Sequence, residues 1–195
     1  KDEVLILWHD ANMKKEAKSA AIIANRTYAE IKQIYPAVMT LNELLDLAIE
    51  NKKSLALETK HPVPTGNRVE ELVVAELHKR KDAIKKSGID VAIMSFSWFA
   101  IEKIKKMDPL IKTVMLLGDI TNKITRRFTS AQVIGPSVEM IRKSPELISE
   151  IKNSGKELYV WTVDSTEDLQ YCASVGVDIV MTNRPAHARS VLGYS

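Results

Sequence analysis

Leu55–Pro62 reads Leu-Ala-Leu-Glu-Thr-Lys-His-Pro. Side chains alternate along a strand, so Ala56, Glu58 and Lys60 share one face and Leu55, Leu57 and Thr59 the other. An acid and a base at the carboxyl end of an otherwise apolar strand make poor core. They suit the top of a parallel sheet or barrel, where metal and phosphate chemistry collects. Glu58 offers a hard oxygen to magnesium or calcium, and Lys60 offers a point charge to a phosphate oxygen. The competing account is a plain ion pair on the rim, which the octapeptide alone admits equally.

Three further strand ends carry groups of this kind. His9 follows the apolar run Val4–Trp8 and shares a face with Leu5 and Leu7. If that face lines a barrel interior, His9 caps it where a general acid or base would sit; otherwise it is a histidine hydrogen-bonded at a strand terminus. Trp161 ends another apolar strand, on one face with Tyr159 and Val163, and would wall a pocket or simply pack in the core. Ser95-Phe96 ends a third strand, but turn chemistry and helix capping by Ser95 or Ser97 account for the serines. His61 adjoins the octapeptide in a proline-rich loop that leaves its direction open. His78 lies among charges in mid-helix and reads as surface. His187 has no case for chemistry, and Cys172 reads as core.

The elements that must position these groups alternate regularly. Strands are expected at 4–9, 55–60, 91–96, 113–117, 158–163 and 177–182, with a weak candidate at 132–134. Helices are expected between them. Capping boxes at Thr27-x-x-Glu30 and Thr40-x-x-Glu43 start two of them. Asn67 starts a long helix to about Lys86 with Gly88 as its stop, Ser144-Pro145-Glu146 opens another that Gly155 closes, and Ser165-x-x-Asp168 begins one that ends at Gly176. Residues 14–24 read as helix or loop, and an irregular polar stretch runs from the 113–117 strand through Ser130. Such alternation predicts an α/β fold with a parallel sheet in one domain spanning 1–195. Six firm strands and one weak one fall short of an eight-stranded barrel, and 195 residues fall short of the roughly 250 such barrels take.

Composition narrows the partners. A net charge of +3 is too small to argue for nucleic acid, and the lysines are spread over helix faces. No apolar run reaches the length of a membrane span, so no stable membrane insertion is expected. One cysteine excludes an internal disulfide and a cysteine-built zinc site, and a reducing, cytoplasmic setting fits. A homo-oligomer is the protein partner left open.

The motifs occur in a fixed order: His9-Asp10, Glu58-Thr59-Lys60, Ser95-Phe96, Trp161-Thr162-Val163-Asp164, and a closing Gly176-Val177-Asp178-Ile179-Val180-Met181-Thr182-Asn183-Arg184-Pro185. This series resembles the glycerophosphodiester phosphodiesterase family, and Leu57–Leu72 resembles its bacterial members. The resemblance implies a (β/α)8 barrel with its site on the carboxyl face. It implies hydrolysis of a small-molecule glycerophosphodiester to glycerol 3-phosphate and an alcohol, with a divalent cation, magnesium or calcium, as cofactor. Carried over residue by residue, it makes His9 a catalytic acid/base, Glu58 the metal ligand, Lys60 a catalytic and phosphate-contacting cation, and Trp161 a substrate-lining ring.

Departures accompany the matches. The family's initial His-Arg-Gly and Glu-x-Asp strand ends are absent, and Lys1-Asp2-Glu3-Val4 resembles the segment just after Glu-x-Asp. The chain therefore reads as a barrel domain lacking its first two strands, a fragment expected to be inactive alone. The Arg-Thr pair common after His-Asp is missing near Ala11–Ala17, and Asn183 stands where an aspartate is common. One carboxylate is few for a hard cation. Two rivals follow: a degenerate, non-catalytic barrel that binds a phosphate ligand, and a related phospholipid head-group phosphodiesterase.

Overall fold

The computed structural model describes residues 1–118 and 123–194. In chain order it contains α1 (Lys14–Ala17), a 3-10 turn at Ile23–Asn25, α2 (Tyr28–Ile34), α3 (Leu41–Glu50), β1 (Leu55–Glu58), α4 (Arg68–Lys79) and α5 (Lys81–Ser87). There follow β2 (Val91–Ser95), α6 (Trp98–Met107), β3 (Lys112–Leu116), α7 (Lys123–Phe128), β4 (Val133–Gly135) and α8 (Val138–Lys143). The chain continues through α9 (Glu146–Asn153), β5 (Glu157–Val160), α10 (Thr166–Ser174), β6 (Ile179–Val180) and α11 (Pro185–Leu192).

The strands form one six-stranded parallel sheet in the order β1 to β6. Helices between successive strands cover its outer face, as parallel connections require. Leu57 and Ile93 pack outward against Leu41, Leu45, Val73, Leu77 and Ile104. Farther along, Met115, Ile134, Leu158 and Val160 pack outward against Ile101, Ile141, Ile151, Leu169 and Cys172. The alternate residues face inward: Ala92, Val114, Leu116, Val133 and Tyr159 form a separate cluster with Met94, Trp161 and Met181. This is the strand arrangement of a (β/α)8 barrel, six strands of it. Gly135 belongs to the inner layer opposite Leu116. A Cβ at Gly135 would lie 2.8 Å from Leu116 Cδ2 and 3.3 Å from Val114 Cγ1, so the layer closes only over a residue without a side chain.

The expected six strands recur with one exchange of membership. The weak candidate at 132–134 is β4, fully buried at Val133–Gly135. Val4–His9, by contrast, forms no strand of the sheet. Ile6 makes one antiparallel bridge to Thr40, flanked by Leu7 N–H to Met39 C=O and Leu41 N–H to Leu5 C=O, both 2.9 Å. The physical reason lies in what buries the run. Leu5 packs on the cluster under β1, while Ile6 and Trp8 pack with Met13, Ile31, Val38 and Tyr35 in a satellite core. A continuous apolar run reports burial on two sides, and here two cores rather than two layers of helices supply it.

Other boundaries shift locally. The helix expected over 67–86 is two, interrupted at Arg80, whose guanidinium is held by Asp46 (3.0 Å) and Glu76 (3.1 Å). The Asn67 side chain does not cap it. Residues 14–24 hold only α1 and the start of the 3-10 turn, with Lys18 at φ 54° ending α1. Of the polar stretch through Ser130, residues 119–122 lie outside the described ones and 123–128 are α7. Both threonine capping boxes form in full. Among the described residues no helix is long and apolar enough to cross a membrane.

Candidate active site at the carboxyl ends of the strands

β1 delivers its charges as its alternation dictates. Leu57 goes to the outer core, and Glu58 and Lys60 go inward, with Lys60 Nζ 2.8 Å from Glu58 Oε1. Their side chains keep 20% and 34% exposure, so the pair sits at an open mouth rather than in the barrel interior. Thr59 between them is buried; its N–H donates to Met94 C=O (2.9 Å), and Ser95 Oγ donates to its carbonyl (3.0 Å). The serines thus do structural work: Ser95 ties β2 to β1, and Ser97 caps α6 by accepting from Ala100 N–H.

His9 takes a different course from the one its sequence suggests. It belongs to no barrel strand, and its side chain is 77% exposed. Its Nδ1 lies 2.7 Å from Asp10 Oδ1. That hydrogen bond holds the Asp10 carboxyl below its ordinary value, with the Lys15 and Lys60 ammonium groups adding to the effect. Through that charge the His9-Asp10 turn is linked electrostatically to Lys60 at the end of β1. An ionised carboxylate only accepts, so the Nδ1 of His9 carries the hydrogen and its Nε2 is left for a ligand.

An aromatic pair joins the ends of β2 and β5. Trp161 donates from Nε1 to Gly135 C=O (2.8 Å) and meets Phe96 edge to face, with centroids 5.3 Å apart. Phe96 remains 40% exposed. Sequence reasoning gave the Ser95-Phe96 strand end as a weaker case, because a Ser-Phe-Ser strand end reads as turn chemistry. Beyond Trp161 in the chain, Asp164 accepts from Thr182 Oγ1 (2.8 Å), Asn183 N–H (2.8 Å) and Asn183 Nδ2 (2.9 Å). These bonds, Asn183's first, hold Asp164 below its ordinary value.

The remaining histidines and the cysteine separate from the mouth. His61 turns outward to α4, where its Nε2 lies 2.8 Å from Glu70 Oε1. His78 pairs with Asp108 at the surface, His187 with Thr166, and Cys172 is buried in the outer core. Burial pushes the Cys172 thiol up to about 11, away from nucleophilic use.

A cavity of about 760 Å³ lies away from the Glu58–Lys60 pair, on the satellite unit, lined by Ser19, Ile22, Asn25, Arg26, Glu30 and Gln33. Its charged groups are occupied: Glu30 closes the Thr27 capping box and faces Arg26. The end of β1 holds the Glu58–Lys60 pair, and Phe96 and Trp161 meet at the ends of β2 and β5. For a divalent cation the mouth offers Glu58 as a donor of suitable hardness, but among the described residues no three His, Cys, Asp or Glu side chains cluster. Magnesium and calcium take six or more oxygens, so these residues alone do not make a cation cage.

Known proteins place this geometry. Residues 1–187 match the sequence model of the Glycerophosphoryl diester phosphodiesterase family. A Mycobacterium tuberculosis protein named "Probable glycerophosphodiester phosphodiesterase 1" is 28% identical over 215 residues, covering 98% of this chain and 78% of the relative. The crystal structure of a glycerophosphodiester phosphodiesterase from Parabacteroides distasonis superposes with a TM-score of 0.79 at 24% identity, over 98% of this chain and 79% of the other. A phosphodiesterase from Oleispira antarctica, solved in complex with the product sn-glycerol-3-phosphate, gives 0.79 at 19% identity, over 96% and 79%. A match of this extent, on a barrel sheet with its charged groups at the carboxyl ends, makes the chain a member of the glycerophosphoryl diester phosphodiesterase family.

Proposed function

We propose that this chain hydrolyses glycerophosphodiesters, releasing sn-glycerol 3-phosphate and an alcohol. The observation that carries the reading is Glu58 and Lys60 side by side on the inner face at the end of β1, in a chain matched to the family over 1–187. The product bound to the Oleispira relative is of the same class. In this reading Lys60 leaves Glu58 for a phosphate oxygen and offsets the charge that builds up as the P–O bond to the alcohol breaks. The His9 imidazolium, oriented through Nδ1 by Asp10, gives its Nε2 proton to the departing alcohol oxygen. The attacking oxygen is water, which gives its proton to solvent. If it is instead the glycerol 2-hydroxyl, its proton likewise goes to solvent and the first product is a cyclic phosphodiester. Water then opens that ring, its proton passing to the His9 imidazole left neutral by the first step. Trp161 and Phe96 wall the apolar part of the substrate. Glu58 is the residue here that would contribute an oxygen to magnesium or calcium, which when bound would supply Lewis acidity; with a single such donor, no step is assigned to the ion.

The test is turnover of a glycerophosphodiester by the natural polypeptide with added magnesium or calcium. His9→Ala is expected to lower kcat by at least about a hundredfold, the low end of general acid catalysis, and Glu58→Gln to lower turnover and weaken the response to metal. Wild-type turnover in both variants would refute these roles. The small donor set at the mouth favours one other reading, a non-catalytic phosphate binder. Product binding without any turnover would decide for it.

A further inference from the structure

We infer that His61 and Glu70 form a positioning pair that fixes the reach of Lys60 into the mouth without touching the ligand. The inference rests on the reading of Lys60 as the phosphate-holding cation.

The starting observation is a buried acidic residue in an unexpected place. Glu70, in the first turn of α4, has no solvent exposure, and its hydrogen bond is the 2.8 Å contact from Oε1 to His61 Nε2. Its Oε2 is buried without a hydrogen-bond partner among the described residues. His61 is itself only 11% exposed. An apolar pair of similar volume would pack at least as well, because a buried ion pair recovers its desolvation cost poorly. A carboxylate at the start of a helix is favoured by the helix dipole, but an exposed position would serve that purpose. What the buried pair adds is a fixed anchor between α4 and the residue next to Lys60.

That anchor is needed where it falls. The β1 ladder ends at Glu58, and the last ties to β2 are those of Thr59. No backbone hydrogen bond among the described residues holds Lys60 or His61. Pro62 and Pro64 have no N–H to contribute. A side-chain contact must hold the loop instead, and His61 makes it. Thr59 and His61 point outward while Glu58 and Lys60 point inward, so the strand's alternation runs two residues past the strand. α4 is a firm support: the neighbouring Glu71 is paired with Lys103 and Arg68, and Lys103 also donates to Asn67 C=O. Pinned at Thr59 and His61, the four-carbon stem of Lys60 starts from a fixed Cα, and less freedom is lost when its ammonium meets a phosphate oxygen.

The experiment is a mutant cycle on the natural polypeptide, read by binding of sn-glycerol 3-phosphate and by kcat and KM. His61→Ala and Glu70→Ala are each expected to weaken binding and raise KM about tenfold, with kcat changed less, as for a binding group held slightly out of place. In a Lys60→Ala background, His61→Ala is expected to add less than about twofold, because the two act through one contact. Glu70→Gln and His61→Gln, which keep a hydrogen bond, are expected to restore most of the loss. Should His61→Ala fail to fold, His61→Phe fills the space without a donor and enters the same cycle. An undiminished His61→Ala effect in the absence of Lys60, or none in its presence, overturns the inference. Wild-type binding by Lys60→Ala is a separate result, and it removes the reading of Lys60 and this inference together.

Discussion

The two sides of the barrel mouth are built on opposite principles. On the β1 side Glu58 and Lys60 hold one another through a single, partly exposed contact. On the β5–β6 side nearly every polar atom is already spoken for: Asp164 accepts three hydrogen bonds from Thr182 and Asn183, Arg184 donates to its backbone carbonyl, and Trp161 is pinned to Gly135. The β1 pair is open to solvent on one side and makes a single contact, so a phosphate anion can compete with Glu58 for Lys60. The saturated side has no such partner to exchange. The mouth therefore divides into a side that can bind and a side that keeps its shape.

This division predicts which changes affect activity and which affect stability. Lys60→Ala should have the largest effect: a loss in kcat/KM of about a hundredfold or more, with a melting temperature close to wild type. A loss of stability as large as the loss of activity would mean that the β1 side is scaffold after all. Gly135→Ala should do the reverse. Its Cβ would press on Leu116 and Val114, which are 3% and 0% exposed and cannot swing aside. Overpacking of this kind costs about 1–3 kcal/mol, visible in chemical denaturation, while Lys60-dependent binding persists in the folded fraction. An alanine variant as stable as wild type would show the inner layer to be loosely packed.

Much of this contrast was legible in the residues. The period of two placed Glu58 and Lys60 together, because β1 follows the alternation that strand geometry imposes. The threonine capping boxes and the glycine stops were legible for the same local reason. His9 was not, since burial of Val4–Trp8 by two different cores leaves the same apolar run as burial within a sheet. β4 looked weak because its apolar run is only Val133-Ile134, between Gln132 and Gly135, too short to show an alternation. His61 could not be oriented in advance: its direction is set by a helix nine residues away, and no local rule reports that contact.

Asn183 offers the smallest and most discriminating change. Its amide donates to Asp164 Oδ2, and its backbone N–H to Oδ1. An aspartate there, as is common in the family pattern, would set two carboxylates against each other. Asp164 now lies below its ordinary value of 3.8, so its hydrogen bonds stabilise the fold above that pH and the contribution is lost as pH falls through the lowered value. Asn183→Asp removes the strongest of these donors and adds a like charge, which raises the carboxyl back toward or past its ordinary range. The variant should melt a few degrees below wild type at pH 7, and the gap should narrow as pH falls toward 4, where the variant's carboxyl pair takes up a proton and loses its repulsion while wild-type Asp164 is still ionised. A gap that is constant with pH would assign the loss to packing instead of charge. A variant as stable as wild type at pH 7, with its response to magnesium or calcium strengthened, would move residue 183 from the side that keeps its shape to the side that binds.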